Sequence, residues 1–480
     1  MKKYDAVIVG SGPNGYAAAI RLLQHGLSVI MLEANKEIGG GVRSQPLTLP
    51  GFVHDTGSAV HPLGMASPFF STLPLEDFGL SWVQPTAPLA HPLGEQGGVV
   101  VYQDIDRTAE QLGQDADAYR RLMAPSVASW DEIAKAFLGP LRWPAHPFKL
   151  ARFGLKAIQP ISWLAKAFFK EEKSQALLAG LAAHAMLPLD KFASSGIAMV
   201  LGTLAHKVGW PVPKGGAATL SHALHTYFLS LGGEIRTGIQ VKSLSDLPPC
   251  SAILFDTAPR LLLELGGLRL PTLYRQQLKA YRYGQGIFKM DWALSEPIPF
   301  SNPEMRKAGT IHIGGTFEEI ARSEKEMWQG KHSKKPYVLL VQPSLFDDSR
   351  APEGKHTAWA YCHVPAYSEV DMTEVMESQI ERYAPGFRDI VLARHCMNTK
   401  AMQNYSANYI GGDINTGAQT ITQLFTRPVY SFTPYRTAVD GMYLCSSATP
   451  PGGGVHGMCG FHAAETAIRD MFSKKKAPAR

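Results

Sequence analysis

An α/β fold built around a parallel sheet is what this 480-residue sequence predicts, on three observations. Its first 33 residues spell strand, glycine turn, helix, strand and acid in that order. A glycine turn, helix and short strands recur from Pro213, and a last strand, glycine-rich loop and helix begin at Gly441. The three passages are far apart in the chain, so one domain is assembled from non-contiguous segments and a second from the insertions between them.

The opening unit has a physical reason at each step. Tyr4-Asp5-Ala6-Val7-Ile8-Val9 is an apolar β run of the kind buried in a parallel sheet. It feeds Gly10-Ser11-Gly12-Pro13-Asn14-Gly15 and then the helix former Tyr16 to Leu23. Leu27 to Leu32 reads as a second strand, with Glu33 at its end. Gly10 permits the tight turn, Gly12 lets backbone approach a pyrophosphate, and Gly15 lets the helix pack on the sheet. Free N–H groups and the positive dipole end at the helix start suit phosphate, and Glu33 is placed to accept from a ribose hydroxyl. A dinucleotide site follows. Ile38-Gly39-Gly40-Gly41-Val42-Arg43 then bends the chain back over the ligand, with Arg43 reaching a phosphate or ribityl oxygen. Phe52 to His61 leads on toward the reactive ring.

In mid-chain, Pro213-Lys214-Gly215-Gly216 precedes a helix over Leu220 to Leu231 and the Gly232-Gly233 stop. Short strands are expected at 234–237 and 239–244, and an apolar strand runs from Ala252 into a polar turn at Asp256-Thr257. Near the end, Gly441 to Cys445 reads as a buried strand, Ser446 to Met458 as a loop exposing successive N–H groups, and Phe461 to Ile468 as a helix. A helix N-terminus aimed at the N1/O2 edge of an isoalloxazine stabilises the charge of a reduced flavin. A nicotinamide has no need of this second loop, so FAD is favoured over NAD.

Length and composition set bounds. The chain exceeds one core, and 45 % hydrophobic with 18 % charged residues is ordinary for a soluble enzyme. No run of about 18 uncharged apolar residues predicts a membrane span, and Met1-Lys2-Lys3-Tyr4 enters a strand at once, leaving no room for a signal peptide. Cys250, Cys362, Cys396, Cys445 and Cys459 show neither CxxC nor metal spacing. Free thiols in the cytoplasm, no redox-active disulfide and no metal are expected. The net charge of +6 is partly local: Arg142, Lys149, Arg152, Lys156, Lys166, Lys170 and Lys173 face only Glu171 and Glu172. Lys149, Arg152 and Lys156 share one helical face, with Phe148, Leu155 and Ile158 on another. Such stretches within 140–175 fit peripheral contact with an anionic membrane and equally a solvated outer face of capping helices. Nothing beside this charge reads nucleic acid. The basic tail, 474–480, reads as disordered.

Longer blocks then carry a resemblance: GSGPNG with IGGG, VPKGGAATL with LGGEI, YGQGIFKMDWAL, HIGGTFEEI, QPSLFDDSRAPEGKHTAWAYCHVP, NYIGGDI, and GMYLC with TPPGGGVHGMCGFHAA. Over nearly its whole length the chain resembles the phytoene (carotenoid) desaturase-like branch of the FAD-dependent amine oxidase superfamily. The resemblance implies a Rossmann-like FAD-binding domain of the GR2 type made from 1–75, 205–265 and 405–473. It implies an α+β substrate domain, with a mixed sheet and helical cap, from 76–204 and 266–404. FAD contacts are implied at Gly10, Gly12, Pro13, Asn14, Gly15, Glu33, Gly39 and Gly40, with the backbone of Val241 at the adenine side and Gly454, Val455 and His456 at the flavin end. Many members have Arg directly after the glycine doublet, whereas here Gly41-Val42 precede Arg43.

The reaction so implied is hydride transfer from a C–H bond of a hydrophobic, isoprenoid-, carotenoid- or lipid-like substrate to flavin N5. A neutral histidine suits the accompanying proton, and His456, His61 and His206 are the candidates, with Trp210 and Tyr435 as walls. Asp413 and Arg427 are either a polar pair at the site or a structural ion pair. A flavin amine oxidase, a redox-neutral polyene isomerase and a regulatory flavoprotein without turnover are the alternatives. The expected partners are a hydrophobic small molecule, a membrane surface touched peripherally, and a second copy in a homodimer.

Overall fold

The computed structural model describes residues 2–140 and 146–473; Arg142, Trp143 and the basic tail lie outside them. Twelve of its strands make two large sheets: β1 Tyr4–Val9, β2 Val29–Leu32, β3 Ala87–Leu93, β4 Gly97–Val101, β5 Glu234–Arg236, β6 Cys250–Phe255, β7 Gly286–Leu294, β8 Ala308–Ile313, β9 Val338–Val341, β10 His356–Val364, β11 Val391–Met397 and β12 Met442–Leu444. The helices that matter to the site are α1 Pro13–Gln24, α2 Pro147–Ala157, α3 Ile161–Phe168, α4 Glu172–Ala183, α5 Ser194–Lys207, α6 Ala218–Ser230 and α7 Met458–Ala467.

The first sheet is entirely parallel, in the order β12-β6-β1-β2-β5. Val7 lies between Ile30 and Ile253 in register, and β1 buries every residue except Asp5. Such a strand reads as a continuous apolar run because helices cover both faces. On α1, Tyr16 to Ile20 and Leu22 are fully buried. Gly460 on α7 lies against the start of α1 so closely that a Cβ there would stand 1.8 Å from the Asn14 carbonyl oxygen. That backbone-to-backbone crossing carries the loop before α7 onto the opening glycine turn. Two passages some 440 residues apart therefore share one site.

The second sheet is mixed, in the order β11-β7-β10-β9-β8-β3-β4, with only β3 and β8 pairing parallel. Its strands alternate as a two-faced sheet must. Phe288, Met290 and Trp292 join Met376, Ile380 and Phe387 in one core, while Ile287, Thr310, Leu339, Trp359 and Tyr361 turn to a cavity. α4 covers part of this cavity face, with Gly180 backed against the rings of His312 and His91.

One expected strand is absent. Residues 239–244 form none, because Gly238 (φ 72°) turns the chain across the end of β2. There Gly238 N donates to Asn35 O at 2.9 Å and Ile239 N to Glu33 O at 2.8 Å. Among the described residues no helix is long and apolar enough to cross a membrane.

Candidate active site

A cavity of about 630 Å³ runs from the C-terminal ends of β1, β2 and β6 to the inner face of the second sheet. Ligands of open parallel sheets bind at those strand ends. Its first stretch is lined by Gly10 to Asn14, Glu33, Asn35, Ile239 to Val241 and Asp256 to Ala258. Gly40 to Val42, Gly57 to Leu63 and Gly453 to Val455 line the middle. The far chamber is walled by His184, Met186, Ile197, Leu201, Trp210, Ile287, Thr310, Leu339, Trp359 and Tyr361.

The first stretch is preorganised. Gly10 has φ 105°, and its N–H donates to Leu32 O at 2.8 Å, which closes the turn. No side chain of its own caps α1 and no acidic residue stands in its first turn. Its positive end faces the cavity, with Gly15 N already donating to Asp256 Oδ2 from the end of β6. Glu33 is buried, and its Oε2 accepts from Ser11 N at 2.8 Å and Ser11 Oγ at 2.7 Å, while Oε1 accepts from Asn35 N at 2.8 Å. Those bonds fix the carboxylate at the end of β2 and leave it on the cavity wall. Val241 is buried there too, on a crossing segment and not a strand.

The expected residues divide once placed. Gly10, Gly12, Pro13, Asn14, Glu33, Gly40, Val241, Gly454 and Val455 line the cavity. Gly15 and Gly39 stand behind the lining: Gly15 N donates to Asp256 Oδ2 at 2.9 Å and Gly39 N to Ser11 O at 3.1 Å. Arg43 does not reach the cavity. Its guanidinium donates to Gly40 O at 2.9 Å and Tyr405 O at 3.0 Å and lies 4.1 Å from the Tyr405 ring centroid. The extra Gly41-Val42 turns the arginine under the loop, where it braces the glycines.

Of the three histidines, His61 alone lines the cavity. The segment before it is pinned by Asp55, whose Oδ1 accepts from Ala217 N at 2.8 Å and whose Oδ2 accepts from Arg350 Nη2 at 2.7 Å. His61 Nε2 lies 2.9 Å from Ser58 Oγ, Nδ1 has no partner, and burial lowers its pKa to about 4. His456 is fully buried behind Val455, with Nδ1 accepting from Met458 N at 3.0 Å, so it shapes the loop. His206 does not line the cavity: Nδ1 donates to Gln103 O at 3.2 Å and Nε2 lies 2.7 Å from Tyr119 Oη. Both of its nitrogens are engaged in packing.

Trp210 lines the far chamber; Tyr435 does not, and donates to Pro450 O at 3.0 Å. Asp413 and Arg427 form no direct ion pair. Asp413 instead accepts from the amides of Gly284, Asn415 and Gly417 at 2.6 to 2.8 Å, and Arg427 donates to Gly417 O at 3.3 Å. Together they tie a loop whose Asn415 and Thr416 border the cavity.

Two residues were missed. His184 closes the end of α4 and faces the far chamber, with Nε2 3.0 Å from Nε2 of His312 and its pKa lowered by burial to about 3. It ends an alanine-rich run, LLAGLAAH, in which it is the one polar ring. Asp256 stands at the C-terminal end of β6, where a carboxylate on a parallel strand was a visible signal.

The N-terminal region, residues 8–71, matches the family model for an NAD(P)-binding Rossmann-like domain. A rat (Rattus norvegicus) relative, pyridine nucleotide-disulfide oxidoreductase domain-containing protein 2, is 26 % identical across 98 % of this chain and 94 % of its own. A lycopene-forming phytoene desaturase from Pseudescherichia vulneris is 25 % identical across 95 % of this chain and 97 % of its own. Among solved structures, putrescine oxidase bound to putrescine shares the fold at TM-score 0.63 and 17 % identity, covering 98 % of this chain and 99 % of that one. The chain is an oxidoreductase similar over nearly its whole length to phytoene desaturases, on a fold it shares with putrescine oxidase.

Proposed function

We propose that the chain binds FAD and dehydrogenates a hydrophobic, isoprenoid- or lipid-like substrate. The observation that carries this is the far chamber, whose walls include three aromatic and five aliphatic or thioether side chains and no Lys, Arg, Asp or Glu among the described residues. A neutral apolar molecule enters such a space without stranding a charge. FAD fits the remainder: Gly10 to Asn14 and Glu33 would hold the ADP half, and Gly40 to Val42 with Gly453 to Val455 the flavin half. When bound, the flavin supplies the two-electron acceptor. The chain's own residues supply a dry pocket and a neutral histidine at the chamber wall. Purified protein should be yellow, and anaerobic addition of an apolar polyene or acyl substrate should bleach the flavin. Colourless protein that takes up no FAD sinks the proposal.

The outer surface supports the same substrate class. On α2 and α3, Phe148, Leu155 and Trp163 are 90 %, 67 % and 58 % exposed. Arg152 and Lys166 stand out beside them, and Lys156 lies half-buried at 5.4 Å from the Phe168 ring centroid. A basic, aromatic, exposed face matches an anionic bilayer. α2 packs on α5, whose Ile197 and Leu201 line the far chamber.

A second reading, amine oxidation, is favoured by Trp359 and Tyr361, whose rings meet at 90° and 5.3 Å on the chamber wall. Peroxide release with amines, absent with apolar polyenes, would replace the first reading with this one.

A further inference from the structure

The carboxyl of Asp256 stands where the opening glycine turn receives its ligand. β6 runs parallel to β1 with Phe255 beside Val9, so Asp256 follows the strand at the level of Gly10. Its backbone is locked: Asp256 N donates to Val9 O at 2.8 Å, Asn408 Nδ2 donates to Asp256 O at 3.1 Å, and Ala258 N donates to Asn408 Oδ1 at 2.7 Å. The side chain has little choice of place. Its Oδ2 accepts from Gly15 N at 2.9 Å and lies 2.5 Å from where a Cβ on Gly12 would be. A carboxylate brought from 241 positions away thus occupies the amides at the start of α1.

Everything facing this carboxyl is neutral or negative, apart from those amides. Glu33 faces it from β2, Tyr409 from the loop before Ile410, Cys445 from the end of β12, and Cys459 from α7. No lysine, arginine or histidine among the described residues acts on it. Asp256 is only 7 % exposed. A pyrophosphate arriving at the same helix end adds negative charge beside a buried carboxyl with no cation nearby.

We propose that Asp256 takes up a proton when the dinucleotide binds, so that the neutral carboxyl is the binding-competent form of the site. The inference rests on the reading that this cavity holds FAD. Burial, with Glu33 adding to it, already raises the carboxyl to about 7, so the competing charge develops within the neutral pH range. The histidines on the cavity wall do not titrate there: burial holds His61 near 4 and His184 near 3. Tyr361 and Tyr409 are pushed upward by burial, away from this range.

The sign follows. Raising the pH ionises Asp256 in the free protein, and that charge must be neutralised or repelled on binding. The Kd for FAD should therefore rise by about tenfold per pH unit above 7, the limit for uptake of one proton. Apoprotein titrated with FAD by flavin fluorescence at pH 6, 7, 8 and 9 measures this directly. Asp256→Asn keeps an acceptor for Gly15 and Gly12 without the charge, and should hold Kd constant within about twofold over the same range. Calorimetry of the unaltered protein at pH 8 in two buffers of different ionisation enthalpy gives the proton count independently of that variant, and close to one proton taken up is expected. FAD binding with a pH-independent Kd and no proton uptake overturns the inference while leaving the FAD site standing. Failure to bind FAD at any pH removes the reading on which it rests.

Discussion

Nε2 of His184 lies 3.0 Å from Nε2 of His312, and the first ring looks into the far chamber while the second is wholly buried. One proton occupies that gap, so each ring sets the tautomer of the other. With the proton on His184 Nε2, its Nδ1 offers a lone pair, and no hydrogen bond to that nitrogen is made among the described residues. A desolvated neutral imidazole of this kind accepts a proton in the transition state without competing water. His184→Gln should leave FAD binding intact and slow flavin reduction by the eventual substrate by about 10²- to 10⁴-fold. His312→Gln should cost less and shift the pH profile of that step, since it acts through His184. Anaerobic stopped-flow absorbance reads both; unchanged reduction in His184→Gln would remove it from the chemistry.

Stability should drain away in mild acid. Burial lowers His61, His91, His206 and His456 to about 4 and His184 to about 3, with His312 well down as well. Each is neutral in the fold, while the unfolded chain protonates its histidines near their ordinary value. The contribution is complete above about pH 6.5 and is lost as pH falls toward 4, at about 1.4 kcal/mol per pH unit for each ring. Asp256 works in the opposite sense, since its raised pKa favours the fold at low pH. Urea midpoints between pH 7 and 4.5 should fall steeply, and His206→Gln should make the slope shallower. A flat profile would mean that these rings are solvated and not buried neutral.

Membrane contact should depend on α2 and α3 and on both of their chemistries. Lys149 is partly neutralised by Glu132 at 2.6 Å, so Arg152, Lys156 and Lys166 carry the free charge. Near an anionic surface each basic residue contributes about 1 kcal/mol, so reversing all three to Glu should weaken binding by at least about a hundredfold. Phe148→Ser with Trp163→Ser should lower binding and its resistance to salt together. Co-sedimentation with phosphatidylserine-containing and neutral vesicles distinguishes the two contributions. Equal recovery of both variants and the unaltered protein would assign this face to another partner or to solvent.

Local pattern made the first half of the site legible and long-range placement hid the rest. Val9, Gly10, Gly12 and Glu33 act within one strand–turn–helix–strand unit, so their spacing in the chain is their spacing in space. The glycines before α7 were readable for the same reason, as a turn entering a helix. Asp256 reaches Gly15 only because β6 pairs beside β1, and His184 reaches His312 only because α4 lies on the second sheet. Neither pairing leaves a periodic trace. His206 misled because a histidine held by Tyr119 and Gln103 looks, in sequence, like one held by a substrate.

Arg43 gives the sharpest distinction between what its position suggests and what its contacts do. A phosphate-binding arginine faces the ligand and contributes a screened charge attraction. Here Nε and Nη2 are spent on Gly40 O and Tyr405 O, and the ring of Tyr405 covers the guanidinium. Tyr405 Oη also donates to Gly40 O at 3.0 Å, so one carbonyl gathers both residues. Arg43→Met would leave that carbonyl a single donor and loosen the Gly39–Gly41 turn, at a cost of about 1 to 3 kcal/mol for the lost charged hydrogen bonds. FAD affinity should fall with the loosened turn, yet the slope of log Kd against log salt should match that of the unaltered protein. Thermal unfolding of the apoprotein should drop in parallel. A smaller salt slope with unchanged apoprotein stability would show instead that Arg43 swings to the phosphates when the dinucleotide binds.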